Sequence, residues 1–229
     1  KKYRRRIARA RAKGEITGHS KELSEAREVL EEKKQVLDGD EIPEGARIGT
    51  GSPRRQAQLL NARPDLQMLE IRGNVDTRIR KLDEGEYDAI VLAEAGLRRL
   101  KLDARISLLL NPPLVYTAVG QGALGLECRT DDKRTKAILE QLTNPIVAAS
   151  VKAERSLLAT LRAGCHAPLG VRSVVDGDSL TQTAVLLSAD GEQRLEATVS
   201  GSLYASGETG VRVAEVLLAD GGQKLVSSV

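Results

Sequence analysis

The chain has 229 residues, 41% of them hydrophobic, with no apolar run of membrane-spanning length and no charged-then-apolar leader at its start. That length supports a sizeable core divided into two or more domains, and a cytoplasmic protein is expected. The formal charge of +3 misleads: the first thirteen residues hold eight Lys or Arg and no acid, and taking those eight from the total of 35 leaves 27 bases against 32 acids, a net of −5.

The basic head, KKYRRRIARARAK, is of a kind that binds nucleic acid or anionic surfaces, but it reads more simply as a solvated extension. Phe and Trp are absent and Tyr numbers four, so there are few platforms for base stacking. No nucleic-acid or membrane partner is expected. The two cysteines, Cys128 and Cys165, are too few for a disulfide framework and read as reduced thiols. Only His19 and His166 could join them, without the close spacing of zinc ligands, so no metal is expected.

In chain order, residues 20–40 form a charged helix with Leu23, Leu30 and Leu37 at seven-residue spacing, too short for a coiled coil and suited to packing on a neighbouring domain. Residues 46–50, 66–71 and 87–93 are apolar strand candidates. They are separated by helices over Pro53–Asn61, Val75–Leu82 and Glu94–Lys101, an alternation that predicts βαβ units and a parallel sheet over residues 45–110. Residues 111–129, NPPLVYTAVGQGALGLECR, open on a proline break and end in a strand-like run that reads as a crossing out of this layer, followed by a helix over Asp131–Leu142. Pro145 opens a long helix with Val147, Ser150, Val151, Glu154, Leu157, Leu158 and Leu161 on one mostly apolar face. It runs into the loop that holds Cys165. Beyond it, strands at 171–175, 179–188 and 193–200, joined by Asp-Gly turns at 176–177 and 190–191, and a helix over Ala205–Ala219 make a small α+β domain.

Two features could carry chemistry. GTGSPRRQ (49–56) places Ser52, Arg54 and Arg55 where a strand passes into a helix, and arginines at the positive end of a helix make sense around an anion. Arg72 ends the next strand, Arg78 lies in the following helix and Arg99 sits beyond the third strand. In an open α/β layer these would converge on the rim at the carboxyl ends of the strands. Guanidinium groups bind carboxylates in pairs of parallel hydrogen bonds, so the rim suits a ligand with several acidic arms. Arg80, Lys81 and Arg98 read as ordinary solvated charges. Cys165, flanked by Gly164 and near Arg162, is placed for a partly exposed and activated thiol, although on the residues alone an inert buried one is the simpler reading; Cys128 fits the inert description.

Taken together, IGTGSPRRQAQLLNARPDLQMLEIRGNVDTRIRKLDEGEYDAIVLAEAGLRRL, AVGQGALGLECR and the Gly-Cys loop resemble the porphobilinogen deaminases, also called hydroxymethylbilane synthases, in order from about Ile42 to the C-terminus. The resemblance implies a periplasmic-binding-protein-like α/β domain followed by a small C-terminal α+β domain with a three-stranded antiparallel sheet. It divides the chain into a basic extension (1–40), the family's second domain (41–114), a segment crossing towards the family's first domain (115–144) and a cofactor-anchoring domain (145–229). It implies a transferase of tetrapyrrole, porphyrin and heme biosynthesis that condenses four porphobilinogen molecules head to tail into hydroxymethylbilane with loss of ammonia. The chain grows on a covalent dipyrromethane cofactor, one per polypeptide. By motif match Cys165 would carry that cofactor through a thioether; Arg54, Arg55, Arg72, Arg78 and Ser52 would bind it, and Arg99 with Arg54 and Arg78 the substrate and growing polypyrrole. The family's His-Ser-x-Lys-Asp-x-Pro segment, whose aspartate serves the ammonia-losing step, is not found in the sequence, so no catalytic acid is assigned. The expected consequences are exposed apolar surface on residues 115–142, association in place of the family's usual monomer, and, as the alternative function, a remnant that binds acidic small molecules without turnover.

Overall fold

The computed structural model describes residues 42–164 and 166–227. The basic head, the heptad-spaced helix and Cys165 lie outside these. The first unit alternates β1 (Arg47–Gly49), α1 (Pro53–Ala62), β2 (Gln67–Leu69), α2 (Val75–Asp83), β3 (Ala89–Ile90) and α3 (Glu94–Arg99). Its strands run parallel in the order β2-β1-β3, with Ile48 beside both Met68 and Ala89. Ala46, Ile48, Leu59, Leu66, Leu114 and Val115 form its core. The helices start where local chemistry dictates: Pro53 fits the first turn of α1, where its missing N–H costs nothing, and Asn74 caps α2 by accepting from the Thr77 N–H at 2.9 Å.

Past α1 the chain is clamped by Arg63, which donates twice to Asp65 at 2.7 Å, while the Gly45 N–H adds a third bond at 2.9 Å. The Arg63 hydrogen bonds first, and the Gly45 N–H after them, hold the Asp65 carboxyl well below the usual carboxylate range. A depressed folded-state value means that the stabilisation is complete above the unfolded carboxyl's pKa of about 4 and fades as pH falls towards the folded value. Asp65→Asn is expected to flatten the loss of stability of the wild-type chain between about pH 4 and pH 2, measured by denaturant unfolding across that range.

After β3 the chain departs from its sequence pattern. Only Ala89–Ile90 of residues 87–93 are paired as strand, and the strand-like run at 123–128 forms no strand. Leu124 is 93% exposed and Leu126 59%, and the helix α4 (Lys133–Leu142) buries none of its residues. An alternating apolar pattern forms a strand only where another backbone pairs with it, and among the described residues none does. The exposed leucines of this segment are the apolar surface expected there.

The C-terminal unit is built from α5 (Pro145–Leu161), β4 (Leu169–Asp176), β5 (Ser179–Leu187), β6 (Arg194–Ser202), α6 (Ser206–Ala219) and α7 (Gly222–Ser227), a helix the sequence pattern did not predict. The three strands pair antiparallel in the order β4-β5-β6. Leu180, Ala184 and Leu186, with Ala197 and Val199 opposite, point to α5 and α6 in a core completed by Leu157, Leu161, Val213 and Leu217. The first two turns of α5 do not join it: Ile146 and Val147 are exposed, and the buried face begins at Ala153 and Glu154.

The two units meet on the other sheet face, where Val185 and Leu187 pack against Ala57 and Tyr116. This explains why β5 ends in an unbroken apolar run. Gln58 brackets the Tyr116 peptide, accepting from its N–H at 2.7 Å and donating to its carbonyl at 3.2 Å. The Tyr116 hydroxyl donates to Glu196 at 3.1 Å, Arg194 donates to the same carboxylate at 2.8 Å, and its guanidinium lies 5.8 Å above the Tyr116 ring. Burial, and after it the negative charge of Glu196, pushes the Tyr116 phenol far above its usual range, so it remains a donor throughout the physiological pH span. Among the described residues no helix is long and apolar enough to cross a membrane.

Candidate functional site

Parallel strands deliver their carboxyl ends to one rim, and the residues that follow β1 and β2 meet there. Thr50, Gly51, Ser52, Arg55, Glu70, Ile71, Arg72 and Arg78 line a cavity of about 310 Å³. Three of its eight wall residues are arginines. Each guanidinium is oriented by one acceptor: Arg55 donates to the Val91 carbonyl at 3.0 Å, Arg78 to the Gly73 carbonyl at 2.8 Å and Arg72 to the Glu70 carboxylate at 2.7 Å. Since a guanidinium carries five N–H donors, each keeps most of them for a ligand. Gly73 is required for this turn. Its φ of +119° is foreign to side-chain-bearing residues, and a Cβ would stand 2.8 Å from the Thr77 side chain.

Burial, and next the positive charge of Arg78, lowers the Arg55 pKa. Like charges gathered in a partly desolvated wall are unfavourable until an anion arrives, so the cavity is suited to bind negative groups. Ser52 precedes α1 with its hydroxyl uncommitted to capping, beside backbone N–H groups of the first turn that have no partner within the helix.

Arg54 goes elsewhere. Adjacent residues on a helix diverge by about 100°, and Arg54 points inward, donating to the Tyr116 carbonyl and, at 3.4 Å, to the Gln121 side chain. Burial, with Arg55's charge second, lowers its pKa to about 10, which leaves it charged at neutral pH. It lines a second cavity of about 610 Å³, walled largely by Ile48, Leu59, Leu97 and Leu108–Leu110, to which Arg55 also contributes. Arg99, in the last turn of α3, is exposed and lines neither cavity. The rim therefore joins Ser52, Arg55, Arg72 and Arg78, and separates Arg54 and Arg99 from them.

Two acids that sequence reasoning did not assign to the site belong to the arrangement. Glu70 lines the arginine cavity; its signal was the Glu-x-Arg spacing, which puts both side chains on one side of an extended chain. Glu154, buried on α5, accepts from the Gly120 N–H at 2.7 Å and from the Ser173 hydroxyl at 2.9 Å. That ties the 118–122 turn, where Gln121 meets Arg54, to the helix leading to the cysteine loop. Around the loop, Arg162 ends α5 in the left-handed region at φ 53°, and Gly164 and His166 are exposed. Cys165, the proposed anchor, is outside the described residues. Cys128 is half-buried.

The sequence has known relatives. Residues 10–137 match the family model described as porphobilinogen deaminase, dipyromethane cofactor binding domain, and residues 148–219 match porphobilinogen deaminase, C-terminal domain. The first match begins at residue 10, ahead of Ile42, from which the motifs are recognisable by eye. The chain is 46% identical to porphobilinogen deaminase of Geobacter sulfurreducens, 46% to that of Geobacter metallireducens and 48% to that of Trichlorobacter lovleyi, in each case over 82% of its length. It spans about three fifths of those relatives, 59%, 59% and 61% respectively. With more than half of its residues in the first match alone, the chain belongs to the porphobilinogen deaminase family.

Proposed function

We propose that the chain takes part in tetrapyrrole biosynthesis, in the stepwise condensation of porphobilinogen into hydroxymethylbilane, and that its arginine cavity holds the carboxylate arms of the pyrroles. The observation that carries this reading is the convergence of Arg55, Arg72 and Arg78 on one 310 Å³ cavity. Each pyrrole bears an acetate and a propionate, and the donor set, three bidentate cations with a serine hydroxyl and helix N–H groups, matches carboxylates and offers little to a neutral ligand. The same residues fit the carboxylate arms of a dipyrromethane cofactor, with Cys165 as its covalent anchor. Such a cofactor supplies the nucleophilic pyrrole end on which the polymer is extended. The chain's own residues bind and orient: Arg55, Arg72 and Arg78 neutralise the arms, Ser52 adds a hydroxyl, and Glu154 fixes the 118–122 turn that meets Arg54.

Intact-protein mass tests the anchor. The chain supplied with porphobilinogen or preassembled primer is expected to gain a dipyrromethane adduct that Cys165→Ser lacks. An unmodified mass under those conditions defeats the reading. The alternative is binding of acidic small molecules without turnover. Release of hydroxymethylbilane by the purified chain would end that alternative.

A further inference from the structure

The three acceptors that orient the cavity's arginines are not equivalent. Val91 and Gly73 offer neutral carbonyls to Arg55 and Arg78, whereas Glu70 offers Arg72 a full negative charge. Both members of the Glu70–Arg72 pair are open to solvent, with side chains 59% and 86% exposed, so the pair is of the weak, screened kind that a second anion can displace. Glu70 also alters the charge of the wall. Arg55, Arg72 and Arg78 against Glu70 leave three positive charges facing one negative, a net of +2, which balances a ligand with two carboxylates.

We propose that Glu70 is a specificity-determining residue of the cavity: an internal carboxylate that holds Arg72 when no ligand is bound, yields when a ligand carboxylate arrives, and by its charge suits the wall to dianions. The proposal rests on reading the cavity as a carboxylate site. It requires no step beyond exchange of one carboxylate for another on the same guanidinium. The exchange also explains how an arginine this exposed is kept in a binding orientation, since unpaired it would sample many rotamers.

Glu70→Gln removes the charge and keeps the shape. Chemical-shift titration of the full chain with glutarate is expected to show binding about threefold to fivefold tighter in the variant, the range of an exposed pair. The gain is expected to be larger for the trianion tricarballylate than for glutarate. In an Arg72→Gln background it should vanish, because the competition needs that guanidinium. Unchanged or weaker glutarate binding in Glu70→Gln, a gain no larger for the trianion, a gain that survives loss of Arg72, or no anion-dependent shift in either protein would overturn the proposal. A general loss of structure cannot mimic the expected result, which is an increase. Porphobilinogen titrated in parallel separates the two readings: if glutarate behaves as expected and porphobilinogen does not bind, the substrate assignment fails and the role of Glu70 stands.

Discussion

Replacing Arg55 by alanine is expected to weaken porphobilinogen binding roughly tenfold to a hundredfold, the range of about 1.5–3 kcal/mol for a hydrogen bond to a charged group. Arg55 is a half-buried member of the cavity's three cations, oriented by the Val91 carbonyl at 3.0 Å, and desolvation strengthens its hold on a carboxylate. Isothermal titration measures the loss, and Arg99→Ala supplies the contrast. Arg99 is exposed at the end of α3 and lines neither cavity, so its removal is expected to change affinity less than about twofold, as for a solvated charge acting at a distance. Equal losses for the two variants would mean that ligand binding extends beyond the cavity to α3.

The largest expected effect on stability comes from Gly210→Ala. Helices α5 and α6 cross with their backbones touching: a Cβ on Gly210 would overlap the Ala153 carbonyl oxygen and lie 2.8 Å from its carbon and 3.0 Å from the Leu157 nitrogen. No rotamer relieves a clash with main chain, so the helices must separate and loosen the core shared by Leu157, Val213 and Leu217. The cost is expected to be about 3 kcal/mol, a fall in Tm of about 6–12 °C for a chain of this size. Gly207→Ala is the control. A Cβ there would meet only the mobile ends of Ser156 and Lys152, at 3.3 and 3.4 Å, and the better helix propensity of alanine offsets the contact.

Most of the layer was legible because its signals are local. Pro53 and Asn74 mark helix starts by their own chemistry, and α1 and α2 end within one residue of the ranges the sequence predicts. The hairpin turn at 176–177 was legible for the same reason, with Asp176 and Ser179 paired across it. Residues 123–128 misled because Leu124 and Leu126 alternate as strand residues do, whereas pairing depends on a partner that a local pattern does not reveal. Helix α7 was missed because it opens on glycine and is anchored chiefly by one buried residue, Leu225. In the site, sequence gave the arginines but not their directions. Arg54 and Arg55 are neighbours in the chain, yet only the structure shows one serving the inter-unit seam and the other the cavity. Glu70 was hidden by its charge, since an acid in a basic wall runs against the search for cations.

The seam around Tyr116 has a practical consequence for dissection. Severing the chain between residues 144 and 145 would strip the cover from Val185 and Leu187 and remove the phenol from Glu196, leaving a greasy sheet face where the longer chain has a sealed one. A fragment cut there would need Val185 and Leu187 replaced by polar residues before it could be handled alone.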